Sequence, residues 1–201
     1  MISVCIPTLN APNNLLFPTG EMFEVIYSSV AGVGAARKDL MERSRGQLVI
    51  MIDDDITPSQ QLIQQLTKLP VGYFAMAVVD GHVSTRVFAI HRCDYRKTDG
   101  FDETIKYVFE DGAFYSEALS RGLKFYAVTP TLFAHKNHVN RCGDYRWLKS
   151  WFEHSKMLVK YKHTCYPGLV GFFGLRSVLK QPQVFFVKFF GVIYWIIKGV
   201  N

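Results

Sequence analysis

The sequence predicts an α/β fold, and three observations lead to that prediction. Short apolar runs rich in β-branched residues alternate with segments of helical periodicity over the first 70 residues. Leu48–Ile52 is a run of five apolar residues, which is typical of a central parallel strand buried on both faces. Hydrophobic residues make up 49% and charged residues 20% of the 201 residues, so the chain can bury a core and is not disordered.

The N-terminal elements follow from local signals. Ile2–Ile6 predicts a buried strand that ends at Pro7, and residues 8–21, which are rich in Asn and Pro, predict a loop. A second strand over Phe23–Tyr27 and a helix over Gly34–Arg45 that stops at Gly46 are expected next. After the central strand, Thr57 is the expected N-cap of a helix that has Pro58 at its first position.

The later part of the chain continues the alternation. The expected strands are Phe74–Val79, Arg86–His91, Lys124–Val128 and Thr131–His135, and the expected helices are Asp111–Ser120, ended by Gly122, and an amphipathic helix over about 144–162. The composition then becomes aromatic and apolar with single basic residues, which predicts a boundary near 165–168. We therefore expect one domain over residues 1–165 and an extension over residues 166–201.

The extension contains the longest apolar stretch, Val184–Ile197, which Lys188 interrupts. A helix of these 14 residues is about 21 Å long, too short for a hydrocarbon core of ~30 Å. Aromatic residues with flanking lysines are typical of a helix at a membrane surface. Packing on the domain and packing on a second copy of the chain are the alternatives.

Charge and cysteine usage narrow the class of protein. The 23 Lys and Arg exceed the 17 Asp and Glu, and the net charge of +6 favours anionic partners. The four cysteines are far apart and show no metal-ligand spacing, which predicts reduced, mostly buried thiols in an intracellular protein. No signal peptide is predicted, because the N-terminus lacks a basic region and reaches Pro7 early.

Three consecutive carboxylates, Asp53, Asp54 and Asp55, directly follow the central strand. Ligands of open α/β sheets bind at the carboxyl ends of the strands. Carboxylates crowded there repel one another unless a cation lies among them, and in an extended segment Asp53 and Asp55 face the same side. Carboxylate oxygens suit Mg²⁺ or Mn²⁺, which bridge nucleotide phosphates. A solvated acidic turn is the alternative.

Gly32 and Gly34 precede a helix that carries Arg37 and Lys38, an arrangement that favours phosphate binding at the helix N-terminus. With Asp53 at a strand end about 20 residues further on, the pattern is similar to a dinucleotide-binding fingerprint. Arg37 occupies the position of the third glycine, where its side chain would crowd the helix against the strand. An ordinary glycine-containing loop is the other alternative.

In their order, five motifs resemble those of family-2 glycosyltransferases with the GT-A fold. They are Ser3–Asn10, Gly34–Lys38, Gly46–Asp55 with Pro58, Asp99–Glu103, and Phe109–Asp111 with Gly122 after the next helix. The resemblance covers roughly residues 1–140. It implies a GT-A-type, mostly parallel sheet flanked by helices, which makes residues 1–165 the expected catalytic domain. The C-terminal helical extension is expected from the composition.

The resemblance also implies an activity and its residues. A sugar would pass from a nucleoside diphosphate sugar to an acceptor hydroxyl with inversion at the anomeric carbon. Asp53 and Asp55 match the DxD motif, so they are the implied ligands of Mn²⁺ or Mg²⁺, with His135 as a further metal ligand. The implied donor-binding residues are Pro7, Thr8, Arg37, Asp53 and Asp54. Asp111 matches the general base.

The residues themselves also point to Glu110 and Asp111. The pair begins a predicted helix in an aromatic segment, and a carboxylate at a helix N-terminus is stabilised as the anion, which suits a base. Inverting transfer needs one carboxylate near the acceptor hydroxyl. A simple complement to the helix dipole is the alternative. His135 alone is more often an ordinary surface or core residue than a ligand.

The sequence therefore predicts a metal-dependent inverting glycosyltransferase, with a nucleoside diphosphate sugar as donor and a glycan, protein or lipid as acceptor. The expected location is cytoplasmic, with peripheral membrane association as an option for the extension, and no nucleic acid partner is expected. One alternative is a nicotinamide-dependent oxidoreductase that uses Gly32, Gly34 and Asp53. Another is a non-catalytic basic module that docks on membranes or nucleic acid.

Overall fold

The structure is a computed structural model that describes residues 1–8, 22–79, 82–103, 110–135, 155, 190–194 and 196–198. Two compact units divide the chain. The first consists of Met1–Lys106 and Glu110–His138, and the second of Tyr107–Phe109 and Val139–Asn201. The predicted boundary near 165–168 and the predicted helix over about 144–162 lie outside the described residues, apart from Ser155, which is helical and buried.

A six-stranded sheet forms the centre of the first unit. In chain order its strands are β1 (Ile2–Pro7), β2 (Phe23–Ser28), β3 (Leu48–Ile52), β5 (Tyr73–Val79), β6 (His82–His91) and β7 (Lys124–Val128). Their order across the sheet is β2-β1-β3-β6-β5-β7. Only β6 pairs antiparallel with both of its neighbours, and every other pairing is parallel. The sheet is thus mostly parallel, as predicted.

Strand β3 lies in the middle of the sheet and all five of its residues are buried. Leu48, Ile50 and Ile52 belong to one apolar cluster, whereas Val49 and Met51 belong to the other. Both faces are therefore covered, which explains the unbroken apolar run. The prediction of a parallel strand is correct on only one side, because β3 is parallel to β1 and antiparallel to β6.

The helices described in the first unit are α1 (Val33–Arg43), α2 (Gln60–Leu66), α3 (Arg92–Tyr95) and α4 (Glu110–Ser120). Gly122 has φ of +79° after α4, a backbone conformation that glycine adopts without strain. The predicted cap of α2 is wrong. Ser59, not Thr57, is the N-cap, and its hydroxyl accepts a hydrogen bond from the Leu62 amide at 3.1 Å.

Thr57 and Pro58 instead belong to a short strand, β4 (Ile56–Pro58), which pairs antiparallel with β8 (Phe133–His135). The segment expected to be extended over Thr131–His135 is therefore only partly so, since Pro130–Leu132 forms a 3₁₀ turn before β8 begins. This two-stranded sheet places His135 opposite Ile56, directly beside the acidic residues that follow β3.

Aromatic packing holds α4 against the main sheet. Phe114 on α4 packs edge-on against Phe88 of β6, with ring centroids 5.1 Å apart, and stacks on Phe101 at 4.9 Å. All three rings are at most 2% exposed. Burial of aromatic rings of this size contributes strongly to stability, so the position of Glu110 and Asp111 at the start of α4 is firmly determined.

In the second unit, residues 190–194 and 196–197 are helical. Large apolar side chains are exposed there, including Phe190 at 62%, Ile196 at 61% and Ile197 at 78%. Within the described parts of the chain, no helix is long and apolar enough to cross a membrane. Of the two cysteines that the structure describes, Cys5 is buried as predicted, whereas Cys93 is exposed.

Candidate functional site

The three aspartates after β3 form a hydrogen-bonded turn rather than the extended segment that the sequence predicted. The Ile56 amide donates to the Asp53 carbonyl at 3.0 Å and closes the turn, while the Asp53 amide donates to the Arg86 carbonyl of β6. The turn therefore continues the pairing of β3 with β6. Its consequence is that each carboxylate has its own partner, while the charge of Asp55 still acts on Asp53.

Asp55 lies beside His135. The distance between Asp55 Oδ2 and His135 Nε2 is 3.4 Å, and the two side chains are 21% and 26% exposed. The pairing of β4 with β8 creates this contact, because it sets His135 opposite the residue that follows Asp55. The structure thus brings together two of the three residues predicted as metal ligands.

Asp54 joins the acidic turn to the end of β1. Its Oδ2 accepts a hydrogen bond from the Thr8 hydroxyl at 2.6 Å, and the Thr8 amide donates to the Ser28 carbonyl at the end of β2. Pro7 is the last residue of β1 and lies opposite Ser28. The predicted donor-binding residues Pro7, Thr8 and Asp54 consequently lie at the same edge of the sheet.

Arg37 on α1 connects the acidic turn to the start of α4. Its Nη2 donates to Asp53 Oδ1 at 2.8 Å and its Nη1 to Glu110 Oε1 at 2.5 Å. The Arg37 side chain is 3% exposed and that of Glu110 is 6% exposed. Burial alone would lower the pKa of Arg37, but the carboxylates of Asp53, Glu110 and Asp111 outweigh it and raise that pKa.

The same surroundings favour the charged form of Arg37 but disfavour the charged form of Asp53. Burial raises the pKa of Asp53, and the neighbouring charges of Asp55 and Glu110 add to the rise, whereas Arg37 opposes it. A divalent cation close to Asp53 would reverse this effect, since an opposite charge favours the ionised carboxylate.

Glu110 and Asp111 begin α4, as predicted, but they have different surroundings. Glu110 accepts from Arg37 and also from the Thr85 hydroxyl of β6 at 3.2 Å. Asp111 is half-buried, and its Oδ1 accepts from the Gly112 amide at 2.8 Å. Burial and the adjacent Glu110 carboxylate raise the pKa of Asp111 to about 7. Burial therefore opposes the stabilisation of the anion that is expected at a helix N-terminus.

The donor set at the acidic turn fits a divalent cation only in part. Among the described residues, no three His, Cys, Asp or Glu side chains are close enough together to hold a metal ion. Asp55 and His135 offer two adjacent ligands, and Asp53 faces Arg37 instead. Mg²⁺ is generally held by one or two carboxylates together with substrate phosphates, so a site completed by a diphosphate is compatible with these side chains.

The glycine pattern before α1 has a structural role of its own. Gly32 has φ of +99° and precedes the first residue of the helix, and its carbonyl accepts from the Ala36 amide at 2.9 Å. The position of the third glycine of a dinucleotide fingerprint is occupied by the buried Arg37, which bonds to Asp53. The Asp53 carboxylate is therefore bonded to the Arg37 guanidinium group.

Two contacts of this site were not predicted from the sequence. One is the hydrogen bond from Thr85 on β6 to Glu110, 25 positions away, and the other is the ion pair of Arg37 with Glu110, 73 positions away. No local pattern marks such a pair. The alternation of β6 does place Thr85 in the buried part of a strand, where a hydroxyl needs a partner.

No protein-family profile matches the chain, and no curated protein matches its sequence. Solved structures do match its fold. Glucosyl-3-phosphoglycerate synthase from Mycobacterium tuberculosis, in complex with Mn²⁺, UDP and phosphoglyceric acid, is similar over 83% of this chain and 80% of its own, with a TM-score of 0.58 and 15% identity.

Two further structures show the same likeness. The mannosyltransferase PcManGT from Pyrobaculum calidifontis, in complex with GDP-Man and Mn²⁺, is 11% identical with a TM-score of 0.53, and the match covers 96% of this chain and 74% of its own. The catalytic domain of Drosophila beta1,4-galactosyltransferase 7, in complex with xylobiose, is 12% identical with a TM-score of 0.53 over 68% of this chain and 71% of its own.

These neighbours are glycosyltransferases of the GT-A type. The central six-stranded, mostly parallel sheet with flanking helices matches theirs, so this chain has the GT-A fold. The fold class predicted from the sequence is confirmed.

Proposed function

We propose that this chain is a metal-dependent, inverting, family-2-like glycosyltransferase that moves a sugar from a nucleoside diphosphate sugar to an acceptor hydroxyl. The observation that carries the proposal is the link through Arg37. This buried side chain bonds to Asp53 in the acidic turn and to Glu110 beside Asp111, so the two acidic segments belong to one site at the carboxyl end of β3.

On the donor side, Asp55 and His135 are the proposed protein ligands of Mn²⁺ or Mg²⁺, with the Arg37-bonded Asp53 as the further candidate. A bound cation would supply positive charge to stabilise the departing diphosphate. Pro7, Thr8, Asp54 and Arg37 line the same edge and are the proposed contacts of the donor. Arg37 Nε is buried and has no hydrogen-bond partner among the described residues, so its N–H can donate a hydrogen bond to the sugar nucleotide.

On the acceptor side, Asp111 is the proposed general base. Its pKa of about 7 places it close to neutral pH, where it can both lose and accept a proton. The acceptor hydroxyl transfers its proton to the Asp111 carboxylate while its oxygen bonds to the anomeric carbon. The bond from that carbon to the diphosphate oxygen breaks on the opposite face, and the nucleoside diphosphate leaves with the electron pair.

Two observations favour this function over the alternatives. The arginine at the third position of the glycine pattern bonds to Asp53, which disfavours the nicotinamide-dependent oxidoreductase. The buried Glu110 carboxylate and the perturbed pKa of Asp111 disfavour a module that only docks through basic surface charge, since perturbed titratable groups gather at functional sites. Glycosyltransferases of the same fold with bound UDP or GDP-Man and Mn²⁺ also support the proposal.

The test is thermal unfolding with UDP, GDP, Mn²⁺ and Mg²⁺, singly and in pairs. A nucleoside diphosphate at about 100 times its dissociation constant adds about 2.7 kcal/mol to the stability of the folded state. We expect the melting temperature to rise only when nucleotide and metal are present together. Asp55→Asn should abolish this rise, whereas Asp99→Asn, a matched change at a side chain that is 83% exposed, should keep it.

A rise that persists in full in Asp55→Asn would contradict the proposed metal site. A rise with NAD(H) in metal-free buffer, and none with nucleoside diphosphates, would favour the oxidoreductase instead.

A further inference from the structure

A cavity lies at the opposite edge of the sheet from the acidic residues. Its volume is about 600 Å³, within the range of small-molecule sites. Gln47, which precedes β3, and His91, which ends β6, bring the two main-chain segments together there, and the Arg92 amide donates to the Gln47 carbonyl at 2.8 Å. Its lining includes Arg45, Gln47, Val71, His91, Arg92 and Arg96.

The charge of this cavity is one-sided. Three arginines line it, and none of its lining residues carries a carboxylate. Arg45 forms an ion pair with Glu24, whose Oε2 is 3.0 Å from Arg45 Nε. The side chains of Arg92 and Arg96 form no hydrogen bond or ion pair within the described part of the chain. Among the described residues, these two guanidinium groups, one helical turn apart, therefore have no compensating contact.

The nearest acidic residue in the sequence does not neutralise them. Asp94 lies between the two arginines, but its side chain is fully buried. Its Oδ2 accepts from the Gly72 amide at 2.6 Å and its Oδ1 from Lys97 Nζ at 2.6 Å. The two oxygens of Asp94 are thus bonded to Gly72 and Lys97, and not to Arg92 or Arg96.

We propose that this cavity binds the phosphate group of an organic phosphate, with Arg92 and Arg96 as the principal ligands and Arg45 at the rim. Guanidinium groups present paired N–H donors that match phosphate oxygens. Val71, which is 61% exposed, offers an apolar surface for the organic part. His91 Nε2 is held by the Leu69 carbonyl at 2.7 Å, which determines the orientation of its ring.

The cavity is separate from the acidic site. Gln47 and Asp53 lie at opposite ends of β3, and six residues of extended chain span roughly 20 Å. The proposal is therefore independent of the proposed sugar transfer, and binding here needs no divalent cation.

The test measures binding of inorganic pyrophosphate by calorimetry, at low ionic strength and in buffer stripped of divalent cations. A parallel arm measures sedimentation with phosphatidylcholine vesicles, with and without phosphatidic acid.

The variant is Arg92→Gln with Arg96→Gln. The control is Lys68→Gln with Lys124→Gln, which removes the same two charges outside the cavity. We expect the cavity variant to weaken binding by about tenfold or more, since charged hydrogen bonds are lost, and the control to bind like the parent.

The two arms distinguish the source of the phosphate. Binding of pyrophosphate that depends on Arg92 and Arg96 supports the proposal with a soluble ligand. Binding of phosphatidic acid vesicles alone, with the same dependence, supports it with a lipid headgroup. Equal binding of parent and cavity variant to both probes, or no binding of either probe by the parent, would overturn the proposal.

Discussion

Arg37 holds one positive charge between carboxylates from two separate segments of the chain. Asp53 and Glu110 both bond to it, and Asp55 and Asp111 lie nearby, so the carboxylates of the site outnumber its one guanidinium group. A second cation is therefore the natural complement of this cluster. The same pairing means that Arg37 contributes to folding as well as to the proposed chemistry.

Removal of Arg37 should cost much more stability than removal of an exposed arginine on the same helix. Arg37→Gln leaves the buried Glu110 and the partly buried Asp53 without their counter-charge, which should lower the free energy of unfolding by about 3–5 kcal/mol. Arg43→Gln, at a side chain that is 52% exposed and paired with Asp39, should cost about 1 kcal/mol or less. Urea unfolding at pH 7 measures both. Similar losses in the two variants would contradict the buried role of Arg37.

Asp111 should make the protein less stable as the pH rises from about 4 to 7. Its folded pKa of about 7 lies above the ordinary value of 3.8, so the folded state binds more protons than the unfolded state in this window. Asp111→Asn replaces the carboxyl with a group that does not titrate, so the variant does not lose stability in this way. The stability of the variant relative to the parent should therefore be greater at pH 8 than at pH 5, by on the order of 1–3 kcal/mol.

Asp99→Asn is the control for this pH dependence, since the Asp99 side chain is 83% exposed. Its stability relative to the parent should be nearly the same at both pH values in urea unfolding. A pH-independent difference for Asp111→Asn would show that the Asp111 carboxyl titrates normally.

At the scale of elements, the short strand β4 explains both an error in the sequence prediction and the geometry of the site. Thr57 and Pro58 are typical of a helix start, and nothing in the neighbouring residues excludes that interpretation. The competing partner, β8, is 79 positions away at the Ile56–His135 pair. Because that pairing buries Ile56 completely, tertiary contact prevails over local preference. The same pairing brings His135 to Asp55.

The two candidate caps of α2 can be separated by mutation. Ser59→Ala removes the hydroxyl that accepts from the Leu62 amide, and should lower the free energy of unfolding by about 1 kcal/mol. Thr57→Ala, at an exposed residue of β4, should change it by about 0.5 kcal/mol or less. Thermal and urea unfolding of both variants provide the measurement. A larger loss in Thr57→Ala would restore Thr57 as the cap.

Across the described part of the molecule, the sequence predicted most strands and helices, because burial on one or both faces leaves a local pattern. It did not predict that β6 runs against its neighbours. A signal for this was present, since Asp80-Gly81 between β5 and β6 is typical of a two-residue hairpin turn. The contacts of Arg37 had no local signal, because charge pairing between distant segments depends on the fold as a whole.

The predicted acidic site stays a prediction as a metal and donor site. The structure pairs Asp54 with Thr8, Asp55 with His135 and Asp53 with Arg37. Residue spacing cannot reveal these pairs, because each joins segments that are distant in the chain. Association of residues 166–201 with a membrane surface stays a prediction.

The most direct test of the central claim is release of nucleoside diphosphate from a panel of sugar nucleotides, with Mn²⁺ or Mg²⁺ and a mixture of hydroxyl acceptors. The parent should release nucleoside diphosphate from at least one donor only when metal is present. Asp111→Asn should lower that rate by roughly 10²–10⁴-fold, the usual contribution of a positioned base, while metal-dependent nucleotide binding persists. Asp99→Asn should react like the parent. Release by Asp111→Asn at the parent rate would contradict the catalytic role of Asp111, and no metal-dependent release from any donor by the parent would contradict the proposed glycosyltransferase activity.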